Sequence, residues 1–375
     1  MVTRSRAAVA VAPKKTELRD IDLPEIPPDG GLLRVIAAGI CGSDVPYYAE
    51  NQAPRILGHE NVGIIEKLGP LAKERWGVSE GDLVALEEYL PCGFCPECRS
   101  GEYRSCLKTD NKRPGALRYG STSIDVPPAL WGGYSQFQYL HPRSVLHRVP
   151  AGVDPRIAAM ALPIGNGFQW TVLDGSAGPG QTVVVQGPGQ QGLACVVAAK
   201  AAGAATVICT GLARDAHRLS VAKRLGADYT VRVDEESLAE VVLHATDGAL
   251  ADLIVDVSSG GASQVINGAL ELIRKRGKLI VAAYKGKAID GFAIDTVIRQ
   301  QISLRGVRGH SFEAVEMALA LMASHRVGLE AMSTHEFGLE KVDYALRLVG
   351  GEFQDDAVHV TISPWKHETD RANVG

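Results

Sequence analysis

Four of the seven cysteines in this chain fall within fifteen residues, at Cys92, Cys95, Cys98 and Cys106. Four thiolates brought together by short turns match the tetrahedral coordination that zinc prefers in structural sites. Glycine and proline residues around the cysteines favour such turns. Nothing else in the sequence indicates secretion, so a disulfide framework is disfavoured. The spacing therefore predicts a closed structural zinc site in the lobe 91–107.

A glycine-rich turn follows an apolar strand and opens a helical stretch. It runs Gly187, Pro188, Gly189, Gln190, Gln191, Gly192. The first glycine permits the tight turn, the second lets a pyrophosphate approach the backbone, and the third permits close packing of helix and strand. The helix N-terminus offers free N–H groups to phosphates. The pattern is weak alone, but between a strand and a helix it predicts dinucleotide binding.

The residues after the second strand of this region bear on the choice of coenzyme. An acidic residue there would bind the ribose 2′-hydroxyl of NAD. This strand is predicted at 206–210, Gly211 follows it, and no carboxylate occurs before Asp215. Arg214 and Arg218 are close enough in sequence to pair with the 2′-phosphate of NADP, although they are equally typical of a solvated helix face. NAD and NADP both stay open.

Composition limits the class of protein. The chain has 375 residues, 46% of them hydrophobic, which is enough for two domains with substantial cores. Its net charge of −4 gives no electrostatic basis for binding nucleic acid or an anionic membrane. The N-terminal residues do not have the pattern of a signal peptide. We expect a cytoplasmic protein without nucleic-acid or membrane partners.

The two halves of the chain differ in their pattern of predicted elements. Short strands at 32–38, 62–67, 82–86 and 136–139 are bounded by glycine, proline or charged turns, which predicts a barrel-like β domain. After about residue 161, apolar strands alternate with amphipathic helices. This alternation predicts an α/β region with a doubly wound parallel sheet.

Together these features resemble the zinc-dependent medium-chain alcohol dehydrogenases over essentially the whole chain. The matching segments are Cys-Gly-Ser-Asp at 41–44, Gly-His-Glu at 58–60, the cysteine lobe, Gly-Gly-Tyr at 132–134 and the glycine-rich turn. The resemblance implies a GroES-like β-rich catalytic domain and a Rossmann-type coenzyme domain. The corresponding ranges are 1–165 for the catalytic domain, 166–308 for the coenzyme domain and 309–375 for a C-terminal segment that completes the catalytic domain.

The resemblance also implies a catalytic zinc bound by Cys41 and His59, with Asp44 supporting His59 through a hydrogen bond. The family commonly takes its third ligand from the segment that here contains Leu162 and Asn166. Leucine cannot bind a metal, and an amide oxygen is a poor zinc ligand. The third ligand is thus the point where this sequence departs from the family.

Glu60 is the best substitute for the missing ligand. Some relatives place this glutamate on the metal, and cysteine, histidine and glutamate would together neutralise Zn²⁺. Two alternatives stay open. Glu60 could support the site without binding the metal, or the catalytic metal could be weakly held or absent.

The activity implied by the resemblance is hydride transfer between an alcohol carbon and a nicotinamide coenzyme, with an aldehyde or ketone as the oxidised partner. Zinc would lower the pKa of the bound alcohol. Ser43 would accept the alcohol proton. Many relatives continue the relay with a nearby histidine, where this chain has Pro46, Tyr47 and Tyr48. The proton must therefore leave by another route or through water.

The sequence alone says little about which substrate the protein would bind. Tyr47, Tyr48, Trp131 and Phe168 lie in segments that would line the pocket, but they are equally typical of a core. As pocket walls they favour a moderately apolar alcohol. An extended loop at 107–130 either covers the cleft or serves a subunit contact.

Other functions and the assembly state stay open. Relatives in the family form dimers or tetramers, so we expect a homodimer or a homotetramer. Leu162 and Asn166 keep open a zinc-independent NAD(P)H reductase of activated double bonds or quinones. A non-catalytic nucleotide-binding protein is the third alternative.

Overall fold

The computed structural model describes residues 2–353 and 355–366. The strands are, in chain order, β1 Arg4–Ala12, β2 Lys15–Asp22, β3 Gly31–Gly39, β4 Arg55–Ile56, β5 Glu60–Leu68, β6 Leu83–Leu86, β7 Phe137–Leu140, β8 Leu146–Arg148, β9 Thr182–Gln186, β10 Thr206–Gly211, β11 Tyr229–Arg232, β12 Ala251–Asp256, β13 Ile273–Val281, β14 Ser303–Gly306, β15 Ser333–Phe337 and β16 His359–Ile362.

The α-helices lie mostly in the second half of the chain. They are α1 Asp44–Ala49, α2 Pro70–Trp76, α3 Pro96–Arg99, α4 Pro155–Ala158, α5 Ala161–Gly167, α6 Gln190–Ala201, α7 Ala216–Arg224, α8 Leu238–Ala245, α9 Ala262–Leu272, α10 Ile294–Gln300, α11 Phe312–Ser324 and α12 Val342–Val349. A π-helical segment, Phe168–Asp174, follows α5. None of the described helices combines the length and apolarity needed to cross a membrane.

The first compact unit contains the described residues up to 162 and those from 333 onward. Its larger sheet has the order β15-β16-β3-β5-β6-β8, with β7 paired to β3, and its smaller sheet has the order β2-β1-β4. The predicted strands correspond to β3, β5, β6 and β7, so the expectation of a β-rich first half is confirmed. The hairpin of β1 and β2 was missed, because its two strands carry charged residues that weaken the apolar pattern.

The pairing of β3 with β5 brings the two sequence segments of the candidate site together. The strands are antiparallel, with Gly39 opposite Glu60. Cys41 follows the end of β3, and His59 immediately precedes β5. Helix α1 then begins at Asp44. Strand register therefore decides which side chains meet.

The second compact unit, residues 163–332, is built on a parallel sheet with the order β11-β10-β9-β12-β13-β14. The strands pair in parallel throughout this order. Strand β9 is buried along its whole length, as a central strand covered by helices on both faces must be. This is the predicted doubly wound α/β architecture.

The division by contacts differs from the predicted domain ranges at the second boundary. Residues 309–332, expected in the C-terminal segment, lie in the second unit. Two contacts explain this placement. The Trp170 indole N–H donates to the Gly309 carbonyl at 2.9 Å, and α11 approaches α5 so closely that a side chain at Gly165 would meet Val315. Residues 367–375 of the predicted segment lie outside the described residues.

The glycine-rich turn gives a test of packing with a matched control. A Cβ at Gly192 would overlap the carbonyl oxygen of Gly187, which is backbone and cannot turn aside, whereas a Cβ at Gly189 would meet nothing within 4 Å. We expect Gly192→Ala to lower the melting temperature by about 5 °C or more through overpacking. Gly189→Ala should leave it nearly unchanged. Thermal unfolding at fixed zinc concentration measures both, and equal melting temperatures would contradict the packing role of Gly192.

Candidate functional site

The four sulfur atoms of the cysteine lobe lie within 4.8 Å of one another. The sulfur of Cys98 is 3.9 Å from that of Cys92 and 3.4 Å from that of Cys95. A tetrahedral zinc ion with bonds of about 2.3 Å places its sulfur ligands about 3.8 Å apart. The cysteines form no disulfide. The donor set and its spacing fit a closed zinc site.

Backbone N–H groups of the lobe point at its sulfurs. The Cys92 N–H donates to the Cys106 sulfur, and the Cys95 N–H donates to the Cys92 sulfur, both at 3.3 Å. Backbone hydrogen bonds, chiefly that of Phe94, lower the pKa of Cys92 to about 6, whereas the pKa values of Cys95 and Cys98 are raised. Since the thiolate is the form that binds zinc, the backbone favours that form at Cys92.

A buried carboxylate connects the lobe to the sheet. Glu87, at the end of β6, accepts a hydrogen bond from the Tyr103 hydroxyl at 2.7 Å. The same oxygen lies 3.2 Å from Nε2 of His147, which belongs to β8. Glu87 and His147 are both fully buried or nearly so. This network fixes the segment between the third and fourth cysteines, and no local sequence pattern predicted it.

The structure gathers Cys41, His59 and Glu60 into a second group, with their ligand atoms within 4.8 Å of one another. A thiolate, an imidazole and a carboxylate are the donors of catalytic zinc sites, and three protein ligands leave one position for a substrate. The donor set therefore fits a catalytic zinc ion. His59 and Glu60 are buried.

Asp44 organises this second group from the first turn of α1. Its carboxylate accepts hydrogen bonds from the Cys41 N–H at 3.1 Å and from the Tyr134 hydroxyl at 2.9 Å. It also lies 3.1 Å from Nδ1 of His59. A bond at Nδ1 leaves Nε2 as the atom available to a metal. Tyr134 belongs to the 132–134 segment of the resemblance, but the sequence did not reveal this contact.

The charges of the second group favour a cation. Burial, reinforced by the charge of Glu60, raises the pKa of the Cys41 thiol. Burial lowers the pKa of His59, but the charges of Asp44 and Glu88 outweigh it, so the pKa of His59 lies well above its ordinary value. The shift of the His59 pKa shows that negative charge dominates its surroundings. A divalent cation would relieve it.

Two polar groups lie on the Nε2 side of His59. The Ser43 hydroxyl is 3.4 Å from this nitrogen, and a carboxylate oxygen of Glu88 is 4.0 Å from it. Arg118, from the loop 107–130, donates a hydrogen bond from Nε to a carboxylate oxygen of Glu88 at 2.9 Å. Its Nη2 atom is 2.6 Å from the same oxygen. Sequence reasoning missed Glu88, whose only signal was its place just before the cysteine lobe.

The loop 107–130 is anchored to the first unit. The Tyr119 hydroxyl donates to the carbonyl of Tyr139 at 2.9 Å. Trp131 is 1% exposed and donates to the carbonyl of Val126 at 2.7 Å. Tyr48 is also buried, and its hydroxyl donates to a carbonyl at 2.8 Å. Tyr48 and Trp131 therefore belong to the core, which weakens the argument for an aromatic pocket.

The two positions where the family commonly supplies a third ligand have other roles here. Leu162 is buried at 3% exposure. The amide oxygen of Asn166 lies 2.9 Å from Nδ1 of His310. Glu60 is thus the third donor that the structure places with Cys41 and His59.

The glycine-rich turn lies between β9 and α6. Gly187 has a φ of 105°, which favours glycine. Gly189 precedes the first turn of α6, which contains Gln190, Gln191 and Gly192. The side-chain oxygen of Gln191 is buried without a hydrogen-bond partner. The first-turn N–H groups and the space at Gly189 fit a pyrophosphate.

A buried ion pair adjoins this turn. The Cβ position of Gly187 lies 3.2 Å from Cα of Ser258, and the Ser258 hydroxyl donates to Asp256 at 2.7 Å. Lys285 places its ammonium group 2.5 Å from the same carboxylate. The pair lies at the carboxyl ends of β12 and β13, where nucleotides bind in such sheets. The sequence did not predict it.

The arginines near the end of β10 differ in their surroundings. Arg218 lies 3.8 Å from Asp215, whose other oxygen accepts the N–H of Leu212 at 3.0 Å. Arg214 is exposed. Both arginines follow Gly211 closely in the chain. The charge of Arg218 is partly balanced by Asp215, whereas Arg214 faces solvent.

Comparisons with known proteins agree with this architecture. A family model described as an alcohol dehydrogenase GroES-like domain matches residues 27–151, and one described as a zinc-binding dehydrogenase matches residues 192–324. The chain is 38% identical to a probable alcohol dehydrogenase of Mycobacterium tuberculosis, over 92% of this chain and 95% of that protein. It is 32% identical to a sorbitol dehydrogenase of Halalkalibacterium halodurans, over 88% and 91%.

A solved structure gives the same result. The crystal structure of an alcohol dehydrogenase from Thermotoga maritima matches with a TM-score of 0.84 and 25% identity, over 96% of this chain and 99% of that one. The β-rich unit is therefore GroES-like, and the parallel sheet is of the Rossmann type. Since a relative of 38% identity shares nearly its full length, the chain belongs to the zinc-dependent medium-chain alcohol dehydrogenases, NAD(P)-dependent oxidoreductases that act on CH–OH groups.

Proposed function

We propose that the chain oxidises an alcohol, or reduces the matching carbonyl compound, at a catalytic zinc held by Cys41, His59 and Glu60. The observation that carries this proposal is the gathering of these three donors around a position that a fourth ligand can share. When bound, zinc supplies Lewis acidity to the substrate oxygen. The cysteine lobe would hold a second, structural zinc.

The residues around the catalytic group have separate roles. Asp44 orients His59 and keeps Nε2 directed at the metal position. The Ser43 hydroxyl, 3.4 Å from that nitrogen, accepts the proton of the alcohol. Proton transfer beyond Ser43 uses water, because α1 continues with Pro46 and Tyr47 rather than a histidine.

The ion pair of Glu88 and Arg118 bears on the substrate. The Glu88 carboxylate is 4.0 Å from Nε2 of His59, so it would lie close to a substrate oxygen at a metal held by this nitrogen. Its side chain is 13% exposed, and that of Arg118 is 9% exposed. We therefore propose a substrate with a second polar group near the reacting carbon, in place of the moderately apolar alcohol expected from the sequence.

The metal assignment is tested by Glu60→Gln. Loss of one anionic ligand should reduce bound zinc from two ions per chain to one and lower kcat/KM by about 100-fold or more. Glu66→Gln is the matched control, because Glu66 lies on the same strand but pairs with Arg34 at the surface. Metal analysis and turnover with a panel of alcohols measure the effect.

Two other outcomes would change the assignment. One zinc per wild-type chain, with reductase activity that survives mild chelation, would indicate the zinc-independent reductase. A wild-type chain whose turnover on a broad panel of alcohols and aldehydes never exceeds that of an inactive Cys41→Ala/His59→Ala double variant would indicate a non-catalytic nucleotide-binding protein.

The choice between NADP and NAD is tested by replacing Arg214. We propose that the exposed guanidinium pairs with the 2′-phosphate of NADP, which would give the chain a preference for NADP over NAD. Arg214→Ala should then weaken NADP⁺ binding about 10-fold, at the level of a charge-assisted hydrogen bond, and leave NAD⁺ binding unchanged. Arg224→Ala, on the last turn of α7, is the control. Equal affinities for NADP⁺ in both variants would remove the role of Arg214.

The proposed pairing of chains is tested by a substitution on the edge strand β14. Strand β14 is the last strand of the parallel sheet, and Leu304 on it is 44% exposed. We propose that two chains pair through this edge, since exposed strand edges with apolar side chains favour pairing. The wild type should have at least twice the chain mass of 39.9 kDa, and Leu304→Glu should reduce the mass to that of a single chain. Light scattering measures it, with Leu243→Glu on α8 as the control.

A further inference from the structure

A fully buried histidine near the catalytic group has no hydrogen-bond partner. His359, the first residue of β16, is 0% exposed, and neither Nδ1 nor Nε2 has a partner. A neutral imidazole carries one N–H donor and one acceptor nitrogen. Buried polar groups are almost always paired in native proteins. An unpaired imidazole in the core therefore requires an explanation.

Strand register places this histidine beside the candidate metal ligands. In the pairing of β16 with β3, Thr361 is opposite Gly39, and the Ile40 N–H donates to the carbonyl of Val360 at 2.9 Å. Continued by two residues, this antiparallel register sets His359 level with Cys41. Strand β5, which begins with Glu60, pairs with the other edge of β3.

Gly39 leaves the imidazole and the carboxylate facing each other. The point where a Cβ of Gly39 would stand is 2.6 Å from a carboxylate oxygen of Glu60 and 2.7 Å from Cε1 of His359. Cε1 lies between the two ring nitrogens. The imidazole and the carboxylate therefore adjoin the same point beside Gly39.

The surroundings of His359 are polar on this face of β16. Thr361, two residues further and on the same face, is also fully buried with an unpartnered hydroxyl. Apolar packing alone would favour hydrophobic residues at both positions. His359 and Thr361 face the side of β3 where the absence of a side chain at Gly39 leaves room beside Glu60.

We propose that His359 is a positioning residue for the third metal ligand, donating a hydrogen bond to one oxygen of Glu60 while the other oxygen binds the catalytic zinc. The inference rests on the proposed function, because His359 has this role only if Glu60 is a ligand. Outer partners of this kind fix the orientation of metal-binding carboxylates and raise metal affinity.

The test compares His359→Phe, His359→Gln and the control His335→Gln. His335 lies on the neighbouring strand β15 and pairs with Asp355 at 3.2 Å. We expect His359→Phe to weaken zinc binding at the catalytic site by about 10–100-fold, as loss of an outer partner does. The amide N–H of glutamine should restore most of the affinity, and His335→Gln should match the wild type. Chelator competition measures affinity, and the visible spectrum of Co²⁺-substituted protein reports the catalytic geometry.

Stability separates this role from a structural one. Replacing an unpaired buried imidazole by an apolar ring should leave the melting temperature of the metal-free protein unchanged or raise it. Metal affinity and stability should therefore change in opposite directions. A His359→Phe variant that binds both zinc ions as tightly as the wild type, with the same Co²⁺ spectrum, would overturn the inference and assign the ring to packing or a buried water.

Gly39→Ala provides a second test if His359→Phe does not fold. The added methyl group would occupy the point between Glu60 and His359 and separate them. Catalytic zinc affinity should fall by a similar factor, and unchanged affinity would also overturn the inference. A wild-type chain that binds only the zinc of the cysteine lobe would instead refute the proposed function itself.

Discussion

The burial of negative charge at the junction of β3 and β5 is the constraint on which the candidate site depends. Asp44 and Glu60 are removed from water beside the thiol of Cys41, and buried charges are unfavourable unless they are compensated. Asp44 is compensated by the chain itself, through Tyr134, His59 and a backbone N–H. A divalent ion bound by Cys41, His59 and Glu60 would also neutralise the charges of the Glu60 carboxylate and the Cys41 thiolate. Metal binding and the stability of this region would then be coupled.

Close approach between strands makes this arrangement possible, and it depends on glycine. A side chain at Gly133 would overlap the amide of Asn61, and one at Gly132 would overlap the carbonyl of Ile56. A side chain at Gly39 would meet Glu60. None of these glycines has a positive φ. They are needed for room between neighbouring groups rather than for an unusual backbone conformation.

Local spacing predicted most of the fold and part of the candidate site. The cysteines at 92–106 and the turn at 187–192 are close in sequence, so turn geometry alone brings each set together. The Glu88–Arg118 pair and the approach of His359 to Glu60 depend on loop conformation and strand register, which no local pattern contains. The aromatic residues were ambiguous because hydrophobicity does not distinguish a pocket wall from a core.

The two groups of candidate metal ligands differ in charge in a way that matches the roles proposed for them. Four thiolates around Zn²⁺ would give a net charge of −2, which backbone N–H groups offset in the cysteine lobe. A zinc ion held there would have little Lewis acidity and no open position, so it would serve structure. One thiolate and one carboxylate would balance the charge of a zinc ion held by Cys41, His59 and Glu60, and three protein donors leave a position for substrate. An ion with that donor set would supply Lewis acidity to a substrate oxygen. A glutamate in place of the family's usual third ligand would therefore preserve the acidity that hydride transfer requires.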